Sequence, residues 1–299
     1  MSPAGFLAII LSVGVCFFVS DLHGRVSRYQ KLLASIAEEK PEAVFMGGDL
    51  MPMTWAATES FDPLHEDFVN GFLDKNLSYL RRELGPLYPR VFLIMGNDDS
   101  RFEEAAVLSV ASSGLWEYIA NRRVKFGEAS VYGYPFVPPT PFFLKDWERY
   151  DVSRYVDPGC ISPEEGVRSV PVSEREKKFS KISEDLERLA AGDDLAKAIF
   201  LFHAPPYRTK LDVSSGEGKM IDHVPFDIHL GSIAVRRFIE ARQPLLTLHG
   251  HAHEAARVSG SWRDRIGRTH CLSAAHDGPE LALVRFDLNK LDDATRQLM

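Results

Sequence analysis

Phe45-Met46-Gly47-Gly48-Asp49-Leu50 closes an apolar run that begins at Ala43. The run reads as a buried strand, the two glycines as a tight turn, and Asp49 as a carboxylate held at the strand's C-terminal edge. The same punctuation recurs along the chain. Phe17-Phe18-Val19-Ser20 leads into Asp21-Leu22-His23-Gly24, and Val91-Phe92-Leu93-Ile94-Met95 leads into Gly96-Asn97-Asp98-Asp99. Ala198-Ile199-Phe200-Leu201-Phe202 ends at His203, and Leu245-Leu246-Thr247-Leu248-His249 runs into Gly250-His251-Ala252-His253. Five apolar strands thus each end in residue types that bind metals. In open α/β sheets ligands collect at the carboxyl ends of the strands, so these residues can converge.

The rest of the chain supplies the frame. Its 299 residues suffice for one large domain with a full core, or for two small ones. Apolar residues make up 45% and charged residues 26%, as in an ordinary globular protein, and the net charge of −7 argues against a basic face for nucleic acid. Three widely spaced cysteines, Cys16, Cys160 and Cys271, make no disulfide framework and fit a reducing, cytoplasmic setting. Residues 5–19 are uncharged and mostly apolar, yet no Lys or Arg precedes them and no small-residue cleavage site follows. They are read as a short lead into a first buried strand over 13–19, with no membrane partner.

Helices are expected over 26–40, 65–84, 102–110, 173–191 and 233–242, with a loop over 51–61 and a strand pair over 124–134. Closing strands are expected over 269–273 and 281–286. Strands alternating with helices give an α/β fold. Residues 135–192 break the pattern. Val137-Pro138-Pro139-Thr140-Pro141-Phe142 cannot be helix or central strand. This segment is read as an insertion or lid within a single domain spanning 1–299.

The chemistry follows from the donor types. Asp21 and His23 are two residues apart and share a face of an extended segment, as do His251 and His253. Asp49 has two oxygens to share between cations, and Asn97 offers a neutral amide oxygen. A mixed oxygen and nitrogen set without thiolates suits Mn, Fe, Zn or Ni over Ca. Two such ions form the usual clamp for phosphoryl displacement.

In order, Asp21-x-His23, Gly48-Asp49, Gly96-Asn97-x-Asp99, His203 and Gly250-His251-x-His253 resemble the motifs of the calcineurin-like metallophosphoesterase superfamily. The resemblance implies a four-layer α/β/β/α sandwich of two mixed β-sheets flanked by helices. It implies two divalent metal ions, one among Asp21, His23, Asp49 and His253, the other among Asp49, Asn97, His203 and His251. It implies hydrolysis of a small phosphomonoester or phosphodiester by a bridging hydroxide; the alternative is a non-catalytic scaffold of the same fold. The departure is Asp98, which stands where the family usually carries a catalytic His. Asp98 and Asp99 are the candidate catalytic residues, although Asp99 equally suits a helix cap or a partner behind the ligands. Arg25, Arg101 and Tyr207 directly follow ligand motifs and are candidate substrate contacts. Asp98 is expected to face away, to be held by a neighbour such as Arg101, or to lean on the second metal. His249 and His276 match no ligand slot and are read as structural.

Overall fold

The fold is described from a computed structural model over residues 14–52, 67–216, 218, 220–221 and 223–299. The elements in chain order are β1 (Cys16–Val19), α1 (Val26–Glu39), β2 (Ala43–Gly47), a π-helical stretch (Phe68–Asp74) that continues into α2 (Lys75–Leu84), β3 (Arg90–Ile94), α3 (Glu104–Ala111), β4 (Glu117–Tyr118), β5 (Arg122–Phe126) and β6 (Ala129–Tyr134). There follow α4 (Glu174–Phe179), α5 (Ile182–Leu189), β7 (Ala198–Phe202), the small pair β8 (Met220–Ile221) and β9 (Val224–Pro225), α6 (Ile233–Arg242) and β10 (Leu246–His249). The chain closes with α7 (Ala255–Ser259), β11 (Arg263–Ile266), β12 (Thr269–Ser273), β13 (Ala282–Phe286) and β14 (Thr295–Leu298).

Two six-stranded mixed sheets result, in the orders β14-β13-β1-β2-β3-β4 and β11-β12-β10-β7-β6-β5. The reason lies in the strands' composition. A strand buried on one face alternates, whereas β1, β2 and β7 are apolar at every position and must be covered on both faces. The side chains divide accordingly. Phe18, Phe45, Phe92, Ile199 and Leu201 belong to a core between the sheets. Phe17, Val44, Met46, Phe200 and Phe202 belong to the outer core, which includes helix residues such as Leu32, Leu77 and Phe238. Tyr29, Leu32 and Ile36 of α1 and Leu77 of α2 meet Val44, Met46 and Val91 on one sheet, and Phe238 of α6 meets Phe200 with ring centroids 5.0 Å apart on the other. The layers are therefore helix, sheet, sheet, helix.

The centre of each sheet is parallel. β1, β2 and β3 run together, as do β6, β7, β10 and β12, while β13, β14, β5 and β11 run against their neighbours. All five strands that lead into donor residues lie in the parallel centres, so each sheet brings its donors out at one edge. A hydrogen bond joins the two edges: His203 Nδ1 lies 2.8 Å from the Gly47 carbonyl.

Several expectations shift. The first strand begins at Cys16, while residue 13 lies outside the described residues. The loop expected over 51–61 and the start of the 65–84 helix fall mostly outside them as well. The expected 173–191 helix is two helices. Ser180 and Lys181 are extended, Lys181 bridges Tyr150, and Ile182 N–H donates to the Tyr150 carbonyl at 2.8 Å. Burial of Ile182 and Leu186 outweighs continuity of a charged helix. The edge strands β4, β11 and β14 were not expected; they are short and partly polar, so their pairing and not their pattern defines them.

Residues 135–192 are packed and not draped. Trp147 is buried, and Lys145 and Glu148, both fully buried, form an ion pair at 2.6 Å. Asp151 accepts from the backbone N–H groups of Ile233 and Ala234 and from Ser232 Oγ, so the segment caps α6. The Asp146 carboxylate accepts from the backbone N–H of Arg101 at 2.8 Å, which fastens the segment to the loop just past Asp99.

The inter-sheet core rests on Phe45, whose ring lies 5.1 Å from Phe92, 6.2 Å from Phe126 and 5.7 Å from Phe286, centroid to centroid. Phe45→Ala should destabilise the protein by about 3–5 kcal/mol, the usual cost of emptying a buried phenyl site. Urea unfolding monitored by circular dichroism measures this, and a change below about 1 kcal/mol would contradict the packing described.

Candidate metal centre

The turns after β1 and β2 create the first half of the site. Hydrogen bonds lace them together: Asp21 N–H donates to the Gly48 carbonyl, His23 N–H to that of Asp49 and Gly24 N–H to that of Leu50, at 2.8 to 3.0 Å. Four donor residues sit in the left-handed region, Asp21 at φ 57°, His23 at 47°, Asp49 at 53° and His251 at 69°. Asp and His tolerate that region better than most residues, yet each such position costs of the order of 1 kcal/mol. The cost buys direction, because a chain leaving a strand through this region swings its next side chains across the strand end. Close approach does the rest. A Cβ at Gly96 would lie 2.6 Å from both His203 Nε2 and the Asp49 nitrogen, so only glycine lets the end of β3 approach the β2 turn and the end of β7.

The donor atoms fall into two groups that share Asp49. In the first, His253 Nε2 lies 3.1 Å from Asp21 Oδ1 and 3.1 Å from His23 Nε2, while His23 Nε2 lies 4.0 Å from Asp49 Oδ2. Ligand atoms of Asp21, His23, Asp49 and His253 all lie within 4.8 Å of one another. In the second, His203 Nε2 lies 3.1 Å from the same Asp49 Oδ2 and 3.0 Å from Asn97 Oδ1, which is 2.7 Å from His251 Nδ1. One oxygen of Asp49 faces both groups. The other, Oδ1, accepts from the backbone N–H of Asp98 at 2.8 Å and is fixed there. The seven residues that the motifs single out as donors are thus brought together at the strand ends.

The cluster opens on one side. His203 is fully buried, whereas His253 is 36% exposed and Asp98 19% exposed. Asp98 and His253 therefore line the mouth, and His203 the floor.

The protein's own charges suit cations. Burial disfavours ionised Asp49, yet His203 and then His23 hold its carboxyl below the ordinary range. Burial likewise opposes ionised Asp21, and a hydrogen bond from His253 reverses the balance. His203 is pushed up to about 10: burial works against the cation, but Asp49 outweighs it. His251, buried and beside His203, is driven down to about 3. Burial and then Asp49 push Asp98 up to about 8 and Asp99 to about 7. On these charges alone, protons on His203 and His253 offset the carboxylates. Divalent ions held among these donors would offset the carboxylates in place of those protons. His23 Nε2 is the ring atom among the donors, while Nδ1 is buried without a hydrogen-bond partner, 3.7 Å from Asp98 Oδ2. The donor set fits two cations.

The remaining candidates stand apart. Asp99 accepts from Leu50 N–H and Met51 N–H at 2.8 and 2.7 Å and from Gly96 N–H at 2.9 Å. It caps no helix; it clamps the β2 and β3 turns from behind. Asp98 is not held by Arg101. The Arg101 guanidinium lies over the Trp147 ring at 5.4 Å and pairs with Glu104 at 3.2 Å and Glu176 at 3.8 Å. Tyr207 Oη donates to Asp227 at 2.5 Å. Arg25 is exposed two residues past His23, at the N-cap of α1. His249 is stacked on Phe202 and lies 2.9 Å from the Ala204 carbonyl, and His276 pairs with Glu280 at 2.9 Å. One contributor escaped sequence reading. Arg28 is buried and donates through Nη1 to the Asp21 carbonyl and through Nη2 to that of Gly278. Its signal was present: Arg28 shares a helix face with Leu32 and Ile36, and a lone arginine in an apolar stripe needs a partner.

Comparison with known proteins agrees with this geometry. The model of the calcineurin-like phosphoesterases matches residues 16–255. No curated protein matches the chain. Among solved structures, a Thermus thermophilus protein is similar over 96% of this chain and 99% of its own, at 16% identity and a TM-score of 0.53. A dimetal phosphatase from Danio rerio is similar over 91% of this chain and 92% of its own, at 13% identity and a TM-score of 0.51. At such identities these likenesses concern the fold.

The clamp by Asp99 is testable. Asp99→Ala leaves three buried N–H donors without an acceptor, at about 1–3 kcal/mol each and not fully additive. Differential scanning calorimetry should show a loss of about 3 kcal/mol or more, with Asp99→Asn less affected. An unchanged melting temperature in Asp99→Ala would refute the clamp.

Proposed function

The chain belongs to the calcineurin-like phosphoesterase family, and from that premise we propose that it is a metal-dependent phosphoesterase acting on a small phosphate ester, mono- or diester. The observation that carries the reading is the sharing of Asp49 Oδ2 between two donor groups, 3.1 Å from His203 Nε2 and 4.0 Å from His23 Nε2. Two divalent ions, Mn, Fe, Zn or Ni, held by Asp21, His23, Asp49 and His253 on one side and by Asp49, Asn97, His203 and His251 on the other, would supply Lewis-acid charge and an acidified water for attack on phosphorus.

The protein's own residues set the rest. His253 and Asp98 bound the mouth through which an ester enters. The exposed Arg25 is the proposed first contact for a phosphate oxygen. Arg101 and Tyr207 are engaged elsewhere in the protein and would have to exchange partners to serve in the same way. Residues 135–192, fastened to the loop beyond Asp99 through Asp146, are proposed to wall the cleft and select the alcohol portion of the ester. No histidine stands at position 98 to protonate a departing oxygen, so good leaving groups should be favoured; a positioned acid is commonly worth about 10²–10⁴ in rate. No helix among the described residues is long and apolar enough to cross a membrane; the cytoplasmic setting we propose rests instead on the free, widely spaced Cys16, Cys160 and Cys271.

A second reading keeps the fold and the donor set in a non-catalytic scaffold, and Asp98 is the feature that favours it. One experiment separates the two. Nitrophenyl phosphate and bis(nitrophenyl) phosphate are assayed with Mn, Ni, Fe or Zn, for wild type and Asp49→Asn. A phosphoesterase turns over at least one ester, with activity removed by chelation and reduced more than about 100-fold in Asp49→Asn, beyond the loss typical of partners behind the ligands. Metal uptake without turnover of either ester would favour the scaffold.

A further inference from the structure

Asn97 can serve a cation only through its amide oxygen. Its side chain does not decide that by itself, because a half-turn exchanges oxygen and nitrogen at almost no cost in shape. The decision is made by what each end meets. Asn97 Oδ1 lies 3.0 Å from His203 Nε2 and 2.7 Å from His251 Nδ1, among the donor atoms. Asn97 Nδ2 points the other way and donates to Asp98 Oδ1 at 2.9 Å.

Asp98 is well placed to enforce this. Its backbone N–H donates to Asp49 Oδ1 at 2.8 Å, so the residue is anchored to the shared carboxylate before its side chain begins. Its second oxygen lies 3.7 Å from His23 Nδ1. An ionised aspartate is acceptor-only, and in that form it can hold the amide only by its nitrogen. Were the amide reversed, its oxygen would face the Asp98 carboxylate oxygen, and Nδ2 would face ring nitrogens that must be unprotonated to bind metal.

We infer that Asp98 is a positioning residue: it locks the Asn97 amide with its oxygen turned toward His203 and His251, and so sets the affinity of the second metal position. The inference rests on the reading of Asn97 as a metal donor. It gives the departure at position 98 a physical purpose that needs no proton transfer.

The test is Mn²⁺ binding by isothermal titration calorimetry on the full chain, with thermal melts in parallel. Wild type should bind two ions. Asp98→Ala, and Asp98→Leu, which keeps the bulk without an acceptor, should weaken one of the two by about 10–100-fold, the range for partners behind metal ligands. Asp98→Asn keeps an acceptor oxygen and should bind within about twofold of wild type. Asn97→Ala marks the loss expected when the donor itself is removed. Wild-type affinity for both ions in Asp98→Ala or Asp98→Leu would overturn the inference, as would equal losses in Asp98→Asn and Asp98→Ala, which would make charge and not orientation the cause. Fewer than two ions on wild type would instead overturn the dinuclear reading, and the inference with it.

Discussion

Burying a carboxylate is costly, and Asp49 is buried where two sheets meet. Its cost is met on both sides. One oxygen is held by the Asp98 N–H, and the other is shared by histidines from the second sheet and from the first turn. Everything nearby follows from the need to surround one carboxylate from several directions. The parallel strands bring their ends to a common edge, glycines allow the turns to approach, and the left-handed backbone at Asp21, His23, Asp49 and His251 aims the donors inward. Asp99 clamps the turns from beneath, and Arg28 fixes the Asp21 backbone from the side.

This architecture separates stability from chemistry. The inter-sheet aromatic core around Phe45 and the outer cores beneath the helices are built from residues other than the donors. The strained turns can therefore be carried as a local cost on a large, well-packed frame, as functional sites commonly are. The packed segment 135–192 is fastened through Asp146 to the loop beyond the turn after β3. Its buried Lys145–Glu148 pair and its cap on α6 make it part of the frame and not an appendage.

Much of the fold was legible in the sequence because strands buried on both faces announce themselves as unbroken apolar runs. The five runs ending in Asp21, Asp49, Asn97, His203 and His251 lie in the parallel sheet centres, and the donor residues after them converge for the same reason. What escaped depends on tertiary partners. β4, β11 and β14 carry too few apolar residues to show a pattern. The 173–191 helix is interrupted because Lys181 pairs with Tyr150, a contact between residues far apart in the chain. Asp99 looked like a helix cap, since an acid before a helix has that local explanation; its three acceptor bonds reach N–H groups in two different turns. Arg28 was hidden because its partners are carbonyls of the Asp21 turn and of Gly278.

The central claim is that Asp49 is the pivot of two metal positions and not a ligand of one. Anomalous diffraction from crystals grown with Mn²⁺ tests it most directly. The account predicts two anomalous peaks roughly 3.5–4 Å apart, the usual spacing of a two-metal site, with Asp49 Oδ2 between them, His253 and Asp21 beside one and His203 and Asn97 beside the other. A single peak among Asp21, His23, Asp49 and His253, with no scatterer beside Asn97, His203 and His251, would contradict it.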